Sequence, residues 1–225
     1  MTKGAAHTVR GPLRHGLVRR TPAPPPATCH APEMEWTTHP VTPDRFEDFA
    51  DVINPNRRES HCWCLSHRLT GPQIDELGEG SREQAARRLC DREVPPGVVT
   101  YRDGTPVGWC NIGARTDIPR LVRSTKIHPV DDVPVWSIIC VVVRGGHRRQ
   151  GVTRHLIEGA VDFAAAHGAP AVDAYPVDPG ERRMDLTMAF VGTRSMFEAA
   201  GFTTIGTTEA VASKMPRLVM RRTLA

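Results

Sequence analysis

The stretch from Val135 to Ala166, reading VWSIICVVVRGGHRRQGVTRHLIEGAVDFAAA, limits what this chain can fold into more than any other segment. Val135 to Val143 is an almost unbroken apolar run, rich in β-branched residues and too short to cross a bilayer, which is the pattern of a buried central strand. Arg144 to Gly151 is polar and glycine-rich. Beyond it Val152, Leu156, Ile157, Ala160, Val161 and Ala164 recur at the three-and-four spacing of one apolar helix face. A strand, a glycine-rich turn and a helix collect free backbone N–H groups and the positive end of a helix dipole at one point, and this turn adds up to four cations. Such a junction is an anion site, with phosphate as its usual occupant.

The turn lacks Gly-x-x-x-x-Gly-Lys-Ser/Thr, which excludes a nucleoside-triphosphatase loop, and Gly145, Gly146 and Gly151 do not fit the dinucleotide pattern Gly-x-Gly-x-x-Gly. Arg148-Arg149-Gln150-Gly151-Val152-Thr153 resembles motif A of the GNAT (GCN5-related) N-acetyltransferases, Arg/Gln-x-x-Gly-x-Gly/Ala, with Thr153 standing where the family has a smaller residue. Ser195-Met196-Phe197-Glu198-Ala199-Ala200-Gly201-Phe202 resembles the family's late helix, which ends in Tyr-Glu-Lys-Leu-Gly-Phe. The likeness spans roughly residues 36 to 224 and is specific between Val135 and Phe202.

This resemblance implies an α/β (α+β) fold: a mixed, mostly antiparallel sheet flanked by helices, in which the strand at Val135 to Val143 and a second at Ala171 to Val177 lie parallel and splay apart as a V. It implies acetyl-coenzyme A as cofactor, its pyrophosphate on Arg148, Arg149, Gln150, Gly151, Val152 and Thr153, with the backbone of Val141, Val142 and Val143 beside the thioester. The activity implied is acetyl transfer to an amine of a small molecule or peptide, directly, in a ternary complex. Two other readings stay open on the residues alone: a non-catalytic acyl-CoA-binding module, and an α/β protein- or nucleic-acid-binding domain whose basic turn merely caps a helix.

The chain's 225 residues allow one full domain, assigned to 34–225. Residues 1–33 hold Pro22, Pro24, Pro25 and Pro26 with scattered arginines and almost no large apolar side chains, the composition of a disordered arm. The net charge of +4 is modest and dispersed, so no nucleic-acid partner is expected; no segment is long and apolar enough for a membrane span, and homodimerisation is left open. Six cysteines without paired regular spacing read as reduced thiols of a cytoplasmic protein.

Within the domain the patterns predict a strand at Met34 to His39, a helix capped by Thr42 and opened by Pro43, and a helix from Ser81 to Asp91. A hairpin is expected about Asp103-Gly104, a short helix near Pro119 to Arg123, and an antiparallel pair at Thr203 to Thr207 and Arg217 to Arg222. His61-Cys62-Trp63-Cys64-Leu65-Ser66-His67 offers thiols and imidazoles, but Cys-x-Cys is a poor tetrahedral chelate, so no metal is assigned. By the family resemblance this segment lines the acceptor site, with Trp63, Cys64 and Tyr175 as substrate-binding candidates.

Acetylating an amine requires its neutral form, which an alkylammonium of pKa near 10 supplies in about one molecule per thousand at pH 7. The glutamate that many family members carry on the central strand is absent, and Phe197 stands at the position of the usual tyrosine acid. Asp131 and Asp132, just before the strand, are therefore the expected bases, Asp132 foremost, with Ser137, His61, His128 and Tyr175 behind them. Cys140 reads as a small core residue rather than a nucleophile.

Overall fold

A computed structural model describes residues 1, 2, 4, 34–78, 81–180, 182 and 190–224. The chain divides into two units, Met1–Glu33 and Met34–Ala225; the expected disordered arm falls almost wholly outside the described residues, and the strands and helices described below belong to the second unit.

Seven strands form one sheet in the order β1-β2-β3-β4-β5-β7-β6. They are β1 (Trp36–Pro40), β2 (Gly97–Arg102), β3 (Thr105–Ala114), β4 (Trp136–Val143), β5 (Ala171–Ala174), β6 (Thr203–Ala212) and β7 (Met215–Thr223). Every neighbouring pair is antiparallel except β4 with β5. The β2–β3 hairpin forms where Asp103-Gly104 predicts it: both residues have positive φ, 49° and 74°, as a two-residue turn matching the twist of its strands requires. The β6–β7 hairpin is longer than the pattern suggested, because Ser213 and Lys214 also turn with positive φ and let pairing run out to Ala212 and Met215.

Helices cover both faces. The helix α6 (Val152–Ala166) buries Leu156, Ile157, Ala160, Val161 and Ala164 against Val98, Ile112, Ile138 and Val172, so the predicted apolar face is the one packed on the sheet. On the other face α1 (Phe46–Ile53) joins α2 (Leu65–Arg68), α3 (Gly71–Asp75) and α4 (Ser81–Cys90) over Trp109 and Cys140. The entry to α1 differs from expectation. Thr42 makes no side-chain cap; Pro43–Arg45 form a 3-10 turn, and the Thr42 hydroxyl instead accepts a hydrogen bond from Arg45 at 3.0 Å.

Gly159 lets α6 approach β1 closely: a Cβ there would lie 2.4 Å from the Thr38 Cβ, and the Thr38 hydroxyl is itself hydrogen-bonded to that of Thr100 at 2.7 Å. Gly159→Ala is therefore expected to destabilise. Alanine gains about 1 kcal/mol of helix propensity, but forcing a methyl into a packed interface costs about 1–3 kcal/mol. A urea titration should show a lower midpoint at unchanged slope; a raised midpoint would show that Thr38 yields freely.

The strand that positions the site is β4. Asn111 of β3 opposes Cys140 and Ile112 opposes Ile138, so Ile139 is an extra residue, a bulge. Parallel pairing with β5 is confined to Trp136–Ile138 against Val172–Ala174. Past the bulge β4 and β5 separate, which is the predicted splay. Because of it β5 stops at Ala174, three residues before the expected end, and Val177 bridges instead to Thr193 and Arg217.

Candidate functional site

The splay opens onto the N-terminus of α6. A cleft of about 490 Å³ lies there, walled by Val141, Val142 and Val143 of β4, by Arg148, Arg149, Gly151, Val152 and Thr153 of the turn, and by Phe190, Met196 and Ala199. Local chemistry shapes the turn. Gly146, Arg149 and Gly151 all have positive φ, at 85°, 61° and 83°, and Gly151 is the N-cap of α6. Left-handed residues in such a turn build concave rows of backbone amides, and the first amides of a helix have no intrahelical acceptor. Gln150 stays out of the cleft lining: its Nε2 donates to the Gly146 carbonyl at 2.9 Å and its Oε1 accepts from Arg102 at 2.5 Å, so it staples the turn rather than facing a ligand.

These residues fit the pyrophosphate of coenzyme A: amides, the three arginines Arg148, Arg149 and Arg154 and a helix N-terminus at one end, apolar walls along the rest. Alternate residues of β4 past Ile138 turn their amides to the edge that β5 has left. Met196 and Ala199 come from α7 (Arg194–Glu198) and its end, while Phe197 is buried edge-to-face against Phe202 with ring centroids 5.2 Å apart. The missing tyrosine is thus replaced by a core residue.

A second cavity of about 350 Å³ shares Phe190 with the first. It takes Ile139 from the bulge, His67 from α2, Arg217 from β7, and Arg120, Arg123 and Lys126 from α5 (Pro119–Val122) and the loop behind it. Two arginines fix these parts. Buried Arg68 anchors α2 through Asn111 Oδ1 at 3.0 Å and the carbonyls of Pro96 and Ile112 at 2.8 and 2.6 Å. Arg115 holds the loop by donating to the Ile127 carbonyl at 2.8 Å and the Tyr175 hydroxyl at 2.9 Å. Burial, then the nearby charges of Arg120, Arg68 and Arg217, push the His67 imidazole down to about 4, so it is neutral at physiological pH. Burial likewise lowers Arg217 to about 10, which leaves it charged.

Several expected site residues stand elsewhere. Asp131 and Asp132 precede the N-terminal end of β4, whereas both cavities lie toward its C-terminal half, and neither residue lines one. Asp131 is bonded to Arg221 at 2.5 Å and to the Val133 amide at 3.2 Å, and the Arg221 bond holds its carboxyl below the usual range. Asp132 is exposed. Trp63 is 3 % exposed and packs between Phe46 and Phe49, so it is core rather than a substrate wall. Cys64 is buried with its Sγ 3.9 Å from that of Cys140, and this contact together with burial keeps its thiol protonated. Tyr175 is also buried, its hydroxyl taken up by Arg115 and by Ser137 at 3.2 Å. Among the described residues no cluster of three metal-ligating side chains occurs and no helix is long and apolar enough to cross a membrane.

The basic cavity is not legible in the sequence because its residues come from five separated stretches, around His67, Ile118 to Ile127, Ile139, Phe190 and Ala210 to Arg217, with no shared motif. Met196 and Ala199, three apart on the late helix, are the part of the cleft that a helical spacing could have pointed to.

The fold is shared with solved structures at low identity. An N-acetyltransferase from Staphylococcus aureus Mu50 matches with a TM-score of 0.50 at 12% identity, covering 85% of this chain and 99% of its own. An aminoglycoside N-acetyltransferase matches with a TM-score of 0.50 at 15% identity over 84% of this chain and 96% of its own. A third acetyltransferase structure gives 0.51 at 15% identity, over 84% and 100%. No curated protein matches the chain. The description of the acetyltransferase (GNAT) family, however, matches residues 66–187, which include β4, the turn and α6, and the chain belongs to that family.

Proposed function

We propose that this protein transfers an acetyl group from acetyl-coenzyme A to the amine of a small molecule or peptide, by direct attack in a ternary complex. The observation that carries the reading is the cleft between β4 and β5, which has the amide-rich turn of α6 in its wall and shares Phe190 with a second cavity. Coenzyme A, when bound, supplies an activated acyl thioester. Val152 and Thr153 amides with Arg148 and Arg149 hold its pyrophosphate, and the free amides of β4 beyond Ile138 offer donors to a developing oxyanion. The second cavity receives the acceptor. Calorimetry with coenzyme A and thiol release with an amine panel test this: saturable binding with amine-dependent release is expected. Binding without release would leave an acyl-CoA-binding module, and no binding would overturn the reading.

No carboxylate lines either cavity among the described residues, so the acceptor loses its proton with help from its surroundings rather than from a dedicated acid–base pair. Cations around an ammonium disfavour its charged form and lower its pKa. His67, already neutral, accepts a hydrogen bond without competing for the proton. The pH dependence follows from the sign of each titration. Below the pKa of the bound amine its neutral fraction rises tenfold per unit, so log kcat/KM should climb with unit slope and then level. His67 titrates near 4 and not near its ordinary 6.5, so no bend should occur between pH 6 and 7 from that residue. A bend there that vanishes in His67→Gln would show the imidazole to be the base.

A further inference from the structure

The second cavity has an unusual charge pattern. Arg120, Arg123, Lys126 and Arg217 line it, and among the described residues no aspartate or glutamate does. Several arginines elsewhere on this surface are matched, Arg57 with Glu47 and Asp51, Arg87 with Glu47 and Glu83, Arg154 with Glu158, Arg194 with Asp178 and Glu198, while others such as Arg58 and Arg88 are exposed without an ion pair among the described residues; what sets the cavity apart is that four cations meet around one space. The four cations of the cavity have no ion-pair partner among the described residues, and the one hydrogen bond their side chains make there runs from Arg217 Nε to the Tyr175 carbonyl at 2.7 Å. That bond holds Arg217 at the cavity wall, with its Cζ 6.0 Å from the centroid of the Tyr175 ring. Gathering like charges in a partly closed space is unfavourable unless something of opposite sign enters.

We infer that the acceptor is an anion as well as an amine: a molecule of amino-acid to dipeptide size whose carboxylate or phosphate is bound by Arg217, Arg120 and Lys126 while its amine points past Phe190 to the thioester. This deepens the acetyl-transfer reading and rests on it for the role of the amine. The size follows from the volume, about 350 Å³, at the small end of ligand sites. Charge sets the rest. Guanidinium groups bind carboxylate and phosphate through paired, charge-assisted hydrogen bonds, whereas a polyamine or an aminoglycoside would add positive charge to a cavity that already holds four cations. The anion also orients the acceptor, so that the positive field acts on the amine and favours its neutral form.

Matched pairs of acceptors test this in the full-length protein: phenylalanine against phenylalaninamide, and phosphoethanolamine against ethanolamine, with spermidine as the polycation. Thiol release should give kcat/KM about 10- to 100-fold higher for the anionic member of at least one pair; the pair that responds identifies carboxylate or phosphate as the group read. Arg120→Gln with Lys126→Gln, both exposed side chains that line the cavity, should raise KM more for the anionic member than for the neutral one, so that the ratio of their kcat/KM values falls toward one. Preference for the neutral member or for spermidine would overturn the inference and leave the acetyltransferase reading standing. Calorimetry separates the two ideas if no amine turns over: N-acetylphenylalanine should bind about 10-fold or more tightly than N-acetylphenylalaninamide, and Arg217→Gln should abolish the difference. Equal binding of the two would also overturn it.

Discussion

Gly151→Asp should lower the affinity for coenzyme A by about 10²-fold, and do so without unfolding the protein. Gly151 is the N-cap of α6 with φ of 83°, and a Cβ built there meets nothing within 4 Å. Aspartate is among the non-glycine residues that best tolerate a left-handed backbone, and it is a favoured helix cap, so the fold accepts it. The carboxylate, however, would stand where the amides of Val152 and Thr153 and the positive end of the helix meet the cleft. Two like charges about 4 Å apart repel by about 4 kcal/mol at an effective dielectric near 20, and salt at the open rim reduces this. Gly151→Asn supplies the control, since it has the same size and backbone tolerance without the charge. Calorimetry should find the asparagine variant close to the parent and the aspartate variant far weaker; equal affinity in all three would move the pyrophosphate off this turn.

Asp173→Ala should cost about 3–5 kcal/mol of stability, the loss expected when one partner of a buried ion pair is removed. Asp173 on β5 is 3 % exposed and faces Arg221 across the β5–β7 ladder. Its two oxygens accept from Arg221 Nε at 2.7 Å and Nη2 at 3.0 Å, a bidentate pair, while Asp131 takes the remaining Nη1. Without Asp173 a largely buried guanidinium is left with one exposed carboxylate. Asp131→Asn, in contrast, leaves the bidentate pair intact, and its effect should be small because Asp131 sits at the surface. Urea denaturation of both variants separates the roles: a loss in Asp131→Asn as large as in Asp173→Ala would make Asp131 the principal partner. The acetylation rate of Asp131→Asn should match the parent, since the residue lines neither cavity.

The sequence by itself determined the strand–turn–helix at Val135 to Ala166, the Asp103-Gly104 hairpin and the β4 and turn residues that wall the cleft. All of these are local: a change of hydrophobic period, two left-handed positions, and amides freed at a helix start are set by neighbours along the chain. The motif at Arg148 to Thr153 also carried the family, and with it the splay of β4 from β5. Only the tertiary structure decided the rest. The family resemblance makes Trp63 a wall of the acceptor site, yet it is buried against Phe46 and Phe49 of α1. Asp131 and Asp132 read as paired acids feeding the central strand, yet the first is claimed by Arg221, ninety residues away. The basic cavity draws His67, Arg120 and Lys126 together with Arg217 across more than half the chain. A side chain's partner at such separation depends on which strands meet and where a bulge tilts them, and no spacing along the sequence encodes that.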